Sequence, residues 1–100
     1  MPVSTTYIAA AKFRKGALDY LAGLGENAEY DLVPEPDNQY DPHAVRVMHN
    51  GTHVGYVPRD LSEEVTALIR EDRIVKAVRK PGSASGTGLH IHYSAPGETT

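Results

Sequence analysis

Asn38, Tyr40 and Asp41 stand close together in the segment Glu35-Pro36-Asp37-Asn38-Gln39-Tyr40-Asp41-Pro42, and each brings a different capacity to bind a nucleotide. A tyrosine ring offers a flat face on which a base stacks, worth about 1–3 kcal/mol per base in single-strand binders. An asparagine amide carries both donors and acceptors for a base edge or a sugar-phosphate atom. Asp41 is the most selective of the three, because a carboxylate near a phosphate backbone is repelled unless it meets a donor. The terminal hydroxyl of a strand is such a donor, so a site built this way accepts a free end and disfavours one carrying a phosphate. Pro36 and Pro42 bracket the group, and proline excludes both a helix interior and a central strand here. The segment therefore reads as a stiff, exposed loop that loses little further entropy on binding. A purely structural reading competes with this one. Pro-Asp-Asn is turn chemistry, Tyr40 packs as a lid, and Asp41 satisfies an N–H beside Pro42.

Two further stretches offer partners for this loop. Tyr56 and Arg59 sit at the junction Val54-Gly55-Tyr56-Val57-Pro58-Arg59, where Arg59 is placed to hold a phosphate beside a helix N-terminus. The structural alternatives are that Tyr56 joins a valine face as core and that Arg59 is a solvated helix charge. Tyr7, in the first strand, is a second candidate stacking surface, although strand tyrosines commonly serve as half-buried packing. Five histidines invite a metal site. Only His90 and His92 share a strand face, two ligands at most, so no metal and no cofactor is expected. Ser83, Ser85 and Ser94 lie in a loop or near the tail, and no phosphate-cradling Gly-Lys-Ser/Thr motif is present. Catalysis is not expected.

The elements that must position these residues are legible in part. Thr5–Phe13 reads as a strand. Ala17, Tyr20, Leu21 and Leu24 follow helical spacing over Arg14–Leu24, with Leu18 widening the apolar face and Gly25 as a left-handed cap. Residues 28–33 alternate as a half-buried strand that enters the loop. Asn50-Gly51 between Val45–His49 and Thr52–Val57 is a two-residue hairpin signal, since both turn residues need positive φ. The regular register pairs His49 with Thr52, Val47 with Val54, Val45 with Tyr56 and Arg46 with Gly55, where the missing side chain leaves room for the Arg46 stem or a ligand. Pro58 opens a second helix with Leu61, Val65, Leu68 and Ile69 as its buried stripe and Arg70 at its exit. Ile74–Val78 and Leu89–Tyr93 read as strands, separated by a flexible Gly/Ser-rich loop over residues 81–88.

At 100 residues the chain is expected to form one domain with a modest core, spanning about residues 5–94 before a flexible tail at 95–100. It has no cysteine, which removes disulfides, thiolate metal sites and a cysteine nucleophile. The absence of a long apolar run or an apolar leader points to a cytoplasmic protein without a membrane partner. The formal net charge of −3 argues against extended tracking of duplex phosphates. Two basic groups stand out within that acidic whole: Lys12, Arg14 and Lys15, and Arg70, Arg73, Lys76, Arg79 and Lys80.

The run from Leu32 to Val47, with its "EPDNxYDPxAVxV" pattern, followed by Val54-Gly55-Tyr56-Val57-Pro58-Arg59-Asp60-Leu61, resembles the HIRAN domain family over about residues 5–94. The resemblance implies a mainly β fold, an OB-like or SH3-like β-barrel of about six strands with two helices, here with a helix inserted after strand one. It also implies a non-enzymatic module, found alone or fused to helicases and nucleases, that binds the 3′-hydroxyl end of single-stranded DNA in repair, replication or processing. On this resemblance Asn38, Tyr40 and Asp41 match the loop that holds the terminal nucleotide. Tyr56 falls where the family places a histidine, Arg59 where it places a lysine, and Tyr7 on a strand-one aromatic. The last loop lacks the family's aromatic there, and Ile8 or Ala9 replaces a strand-one neighbour. Single-stranded DNA ends, a helicase or nuclease partner and a monomeric state are thus expected. The alternative is a protein-interaction adaptor barrel that takes a peptide strand on an open edge, which the acidic balance favours.

Overall fold

The computed structural model describes residues 2–82 and 86–95. Its six strands are β1 (Val3–Tyr7), β2 (Glu29–Pro34), β3 (Val45–His49), β4 (Thr52–Tyr56), β5 (Ile74–Arg79) and β6 (Gly88–Tyr93), with helices α1 (Ala17–Ala22) and α2 (Arg59–Arg70) and a 3-10 turn at Ala11–Phe13. The strands form one sheet in the order β1-β6-β5-β2-β3-β4, antiparallel throughout. It curls until its two ends meet. Beyond β1, the Ala9 N–H donates to the Tyr56 carbonyl at 2.7 Å and the Tyr56 N–H donates back to Ala9 at 2.9 Å, which joins the first strand to the last as in a small barrel. Leu21, Leu89, Ile91, Val45, Val47 and Val54 are fully buried inside this curl.

The first strand is shorter than the sequence suggests, and the 3-10 turn takes up the rest of Thr5–Phe13. The chain leaves β1 through Ile8 and Ala9 and turns at Ala10, whose φ of 62° ends extended pairing. The inserted helix is likewise shorter than Arg14–Leu24. Gly16 sits at φ 79° and Arg14 is extended, so neither can carry α-helical hydrogen bonding forward. Leu18 faces solvent rather than the core. Gly25 is not a left-handed cap, for α1 ends at Gly23 with φ −85°. The end of α1 is instead satisfied by Arg79, which is buried and donates through Nη1 to the carbonyls of Leu21 at 2.7 Å and Leu24 at 2.8 Å. That contact also corrects the second basic group, since Arg79 faces inward and Arg73 donates to the Ser94 carbonyl and to Glu71.

The hairpin turn forms as expected, with φ 47° at Asn50 and 85° at Gly51, and His49 pairs with Thr52. Its upper half does not. A bulge between Val47 and Met48 shifts the register, so that Val47 pairs with Gly55 and Arg46 with Tyr56. One extra residue on β4 reverses the facing of everything after it. Val54 still points into the core, whereas Tyr56 turns to the same side as His53, and their rings meet edge to face at 4.9 Å. The space beside Gly55 is taken by Ile8 and Ala9 and is not left for the Arg46 stem. A Cβ there would stand 2.4 Å from Ile8 Cγ2 and 2.6 Å from the Ala9 carbonyl oxygen.

The segment after β5 is likewise more packed at its exit than its composition implies. Gly86, at φ 77°, is buried, and a Cβ there would stand 2.9 Å from the Leu21 carbonyl oxygen and 3.0 Å from the Ala22 nitrogen. The Thr87 carbonyl accepts from the Ile8 N–H at 2.8 Å. Ser83 and Ser85 lie outside the described residues, as does the tail beyond residue 95. No helix among the described residues is long and apolar enough to cross a membrane.

Because Gly55 abuts backbone on one side, Gly55→Ala should lower stability by about 1–3 kcal/mol through overpacking. Gly25→Ala, where nothing lies within 4 Å, should stay within about 1 kcal/mol of the native chain. Urea unfolding midpoints compare the two; equal midpoints would show that the strand ends are not tightly apposed at Gly55.

Candidate nucleic-acid interface

The loop between β2 and β3 holds its shape through its own polar atoms. The Asn38 amide oxygen accepts from the Tyr40 N–H at 2.8 Å and the Asp41 N–H at 3.0 Å, while its nitrogen donates to Glu35 Oε1 at 2.8 Å. The turn chemistry expected of Pro-Asp-Asn is thus present, and Asn38 is its centre. One amide hydrogen of Asn38 is left for an outside acceptor. The loop is closed at its base by a Glu35 N–H bond to the Ala44 carbonyl at 2.8 Å.

Of the three carboxylates in this loop, Glu35 and Asp41 are held by hydrogen bonds. Glu35 accepts from the Tyr56 hydroxyl at 3.1 Å and pairs with Arg46 Nε at 3.2 Å. Its pKa is lowered, chiefly by the Asn38 amide and then by Tyr56 and Arg46. Asp41 Oδ1 accepts from the His43 N–H at 2.8 Å and Oδ2 from the Ser62 hydroxyl at 2.7 Å. The Ser62 hydroxyl lowers the Asp41 pKa most, helped by the His43 N–H and the Arg59 charge. Ser62 is buried on the first turns of α2. Together with Thr66, which donates to the His43 carbonyl at 2.8 Å, it ties the helix to the loop.

Between the loop and the barrel closure lies a concavity of about 210 Å³. Asn38, Tyr40, Asp41, Tyr56 and Arg59 all line it, over a floor of Ala9, Ala10, Ala44 and Val57. The structure thus brings together five of the six residues singled out from sequence. Tyr40 is 76% exposed and is therefore not a packed lid. Tyr56 is half-buried and is not part of the valine core. Tyr7 does not line the concavity; it lies at the end of β1, 56% exposed. The floor alanines, Glu35 and Ser62 escaped sequence reasoning. Nothing in the sequence marks Ser62, since its burial and its bond to Asp41 depend on how α2 packs against the loop.

The lining combines two aromatic rings, an anionic acceptor held by hydrogen bonds and a cation, groups that a nucleotide's base, sugar and phosphate can use. Asp41 stays ionised at neutral pH and each of its oxygens keeps a lone pair, so it can take a further hydroxyl proton donor. Among the described residues no group of three or more potential metal ligands comes together, and the His90 and His92 rings meet only each other at 6.3 Å.

The lowered pKa values have a definite sign. The stability that Glu35 and Asp41 contribute is present above their unfolded-state pKa values and is lost as pH falls through their folded-state values. Ser62→Ala should raise the Asp41 pKa toward that of an ordinary aspartate, read from its side-chain carboxyl carbon in a titration by NMR. An unmoved Asp41 titration would show that Ser62 does not hold the carboxylate.

Three comparisons bear on this arrangement. No curated protein sequence matches the chain. Among solved structures, the crystal structure of the HIRAN domain of human HLTF superposes with a TM-score of 0.73 at 18% identity, over 91% of this chain and 74% of that one. The NMR structure of the HLTF HIRAN domain in its DNA-bound conformation gives a TM-score of 0.62 at 20% identity, over 91% of this chain and 73% of that one. These likenesses agree with the curled, mainly β sheet and its helices. The family model of the HIRAN domain matches residues 3–91, nearly the whole chain and including both the loop and the hairpin-helix junction, so this protein belongs to the HIRAN domain family.

Proposed function

We propose that the protein is a non-enzymatic DNA-binding module that receives the 3′-hydroxyl end of single-stranded DNA in the concavity between the β2–β3 loop and the barrel closure, and serves DNA repair, replication or processing. The observation that supports this reading is that an ionised carboxylate, Asp41, lines one concavity together with Tyr40, Tyr56 and Arg59. A carboxylate repels a phosphate and welcomes a hydroxyl, so it selects the end of a strand over its interior. Tyr40 and Tyr56 provide the stacking faces. Arg59, at the start of a helix whose Pro58 cap contributes no side-chain hydrogen bond, meets the nearest phosphate. Asn38 acts mainly by holding the loop, with one amide hydrogen for the ligand. The HLTF HIRAN domain, solved in its DNA-bound conformation, supports the same class of ligand.

Fluorescence anisotropy with short oligonucleotides ending in 3′-hydroxyl or 3′-phosphate tests the proposal. The native chain should prefer the hydroxyl end, and Asp41→Asn should narrow that preference. Equal affinity for both ends would remove Asp41 from its role. Tyr40→Ala should weaken binding by the roughly 1–3 kcal/mol of a lost stack, with a melting temperature close to that of the native chain because the ring is exposed. A large drop in melting temperature would instead make Tyr40 a structural residue. Binding should fall with salt, whereas an apolar peptide groove of the adaptor type would barely respond.

A further inference from the structure

On the far side of the 3-10 turn from the end pocket lies a second hollow, of about 570 Å³, lined by Phe13, Arg14, Lys15, Tyr20, Thr52 and His53 among others. Phe13 is 78% exposed, the most exposed large apolar side chain among the described residues. Lys12 Nζ stands over its ring, 5.1 Å from the centroid. Three of the chain's ten Lys and Arg residues fall in the four positions 12–15 of a protein with net charge −3. None of the three enters an ion pair among the described residues, and no acidic residue lines the hollow.

The hollow is joined to the end pocket by covalent and packing contacts. Ala10 lines the end pocket and its carbonyl accepts from the Phe13 N–H at 3.0 Å, which sets the two sites one 3-10 turn apart. On the other wall, the His53 ring meets that of Tyr56 at 4.9 Å. Arg14 is oriented by its Nε–H bond to the His53 carbonyl at 3.0 Å, which leaves its terminal nitrogens as donors. An exposed ring set among cations, with no acid beside it, is the pattern of a single-strand stacking platform with phosphate contacts.

We infer that this hollow is a second nucleotide subsite, in which Phe13 stacks a base and Arg14 and Lys15 hold phosphates as the strand runs away from its captured 3′ end. The inference rests on the end-binding reading and extends it to the adjoining nucleotides. The inserted segment between β1 and β2 thereby supplies stacking surface that the last loop, without an aromatic residue, does not.

The test compares thymidine oligonucleotides of two and six nucleotides, both with 3′-hydroxyl ends, on the full chain. Amide shifts should move in the loop and around Tyr56 with either ligand, and at residues 12–16 and 52–53 only with the hexanucleotide. Phe13→Ala should weaken the hexanucleotide by about five- to a hundredfold, leaving the dinucleotide and the preference for a 3′-hydroxyl as in the native chain. Phe13→Leu, which keeps the bulk and removes the ring, should behave alike, and thermal melting should show both variants folded. Lys15→Gln should reduce the salt slope for the hexanucleotide by about 0.7. If Phe13→Ala binds the hexanucleotide as the native chain does while the end preference persists, the second subsite is overturned and the end pocket stands. If the native chain binds neither oligonucleotide, the end-binding reading fails and the second subsite falls with it. A stretch of polyglutamate that moves the 12–16 amides where the hexanucleotide does not would reassign the hollow to an acidic protein segment.

Discussion

The double hydrogen bond between Ala9 and Tyr56 is the contact on which the arrangement of this domain depends. It closes the curled sheet, and it does so at the residue that forms one wall of the candidate site. Closure at that point requires the Ile8–Ala9 backbone to lie against β4, and only a residue without a side chain leaves the space; Gly55 is that residue. The bulge beside it is equally consequential, because one extra residue in β4 turns Tyr56 out of the core and toward the β2–β3 loop. Barrel closure and site formation are therefore one structural event.

The loop is a rigid object for electrostatic reasons as much as for its prolines. Asn38 accepts from two N–H groups, Glu35 takes the Asn38 amide, the Tyr56 hydroxyl and Arg46, and Asp41 takes Ser62 and a backbone N–H. Each bond to a carboxylate favours its ionised form, and each also fixes a part of the loop. The same bonds that hold the chain in place thus keep Asp41 charged, which is what an acceptor for a hydroxyl needs. The structural reading of Asn38 and Asp41 holds in the fold, and it leaves both at the lining of the candidate site.

Charge on this protein is distributed by burial. Of two basic groups in the chain, the one after α2 is partly consumed by architecture, with Arg79 buried on the carbonyls that end α1 and Arg73 bonded to Ser94 and Glu71. The other, at positions 12–15, stays at the surface beside an exposed phenylalanine. A mildly acidic domain can in this way present a local cationic face without becoming a general binder of polyanions.

What the sequence by itself determined were the features set by neighbouring residues. The Asn50-Gly51 turn, the start and stripe of α2, and the stiff loop between Pro36 and Pro42 are all local signals, and the family motif spans them. The short α1, the early end of β1 and the shifted hairpin register were not legible, because each is settled by a partner distant in the chain: Arg79 for the end of α1, Tyr56 for the path of Ala9, and Ile8 for the space at Gly55. Periodicity reports which residues share a face only while the ladder is regular, and a bulge resets that count without a mark in composition. Only the tertiary structure could decide that Tyr56 faces the loop, that Ser62 holds Asp41, and that Phe13 remains exposed one turn away, since each follows from strand closure between residues far apart in sequence.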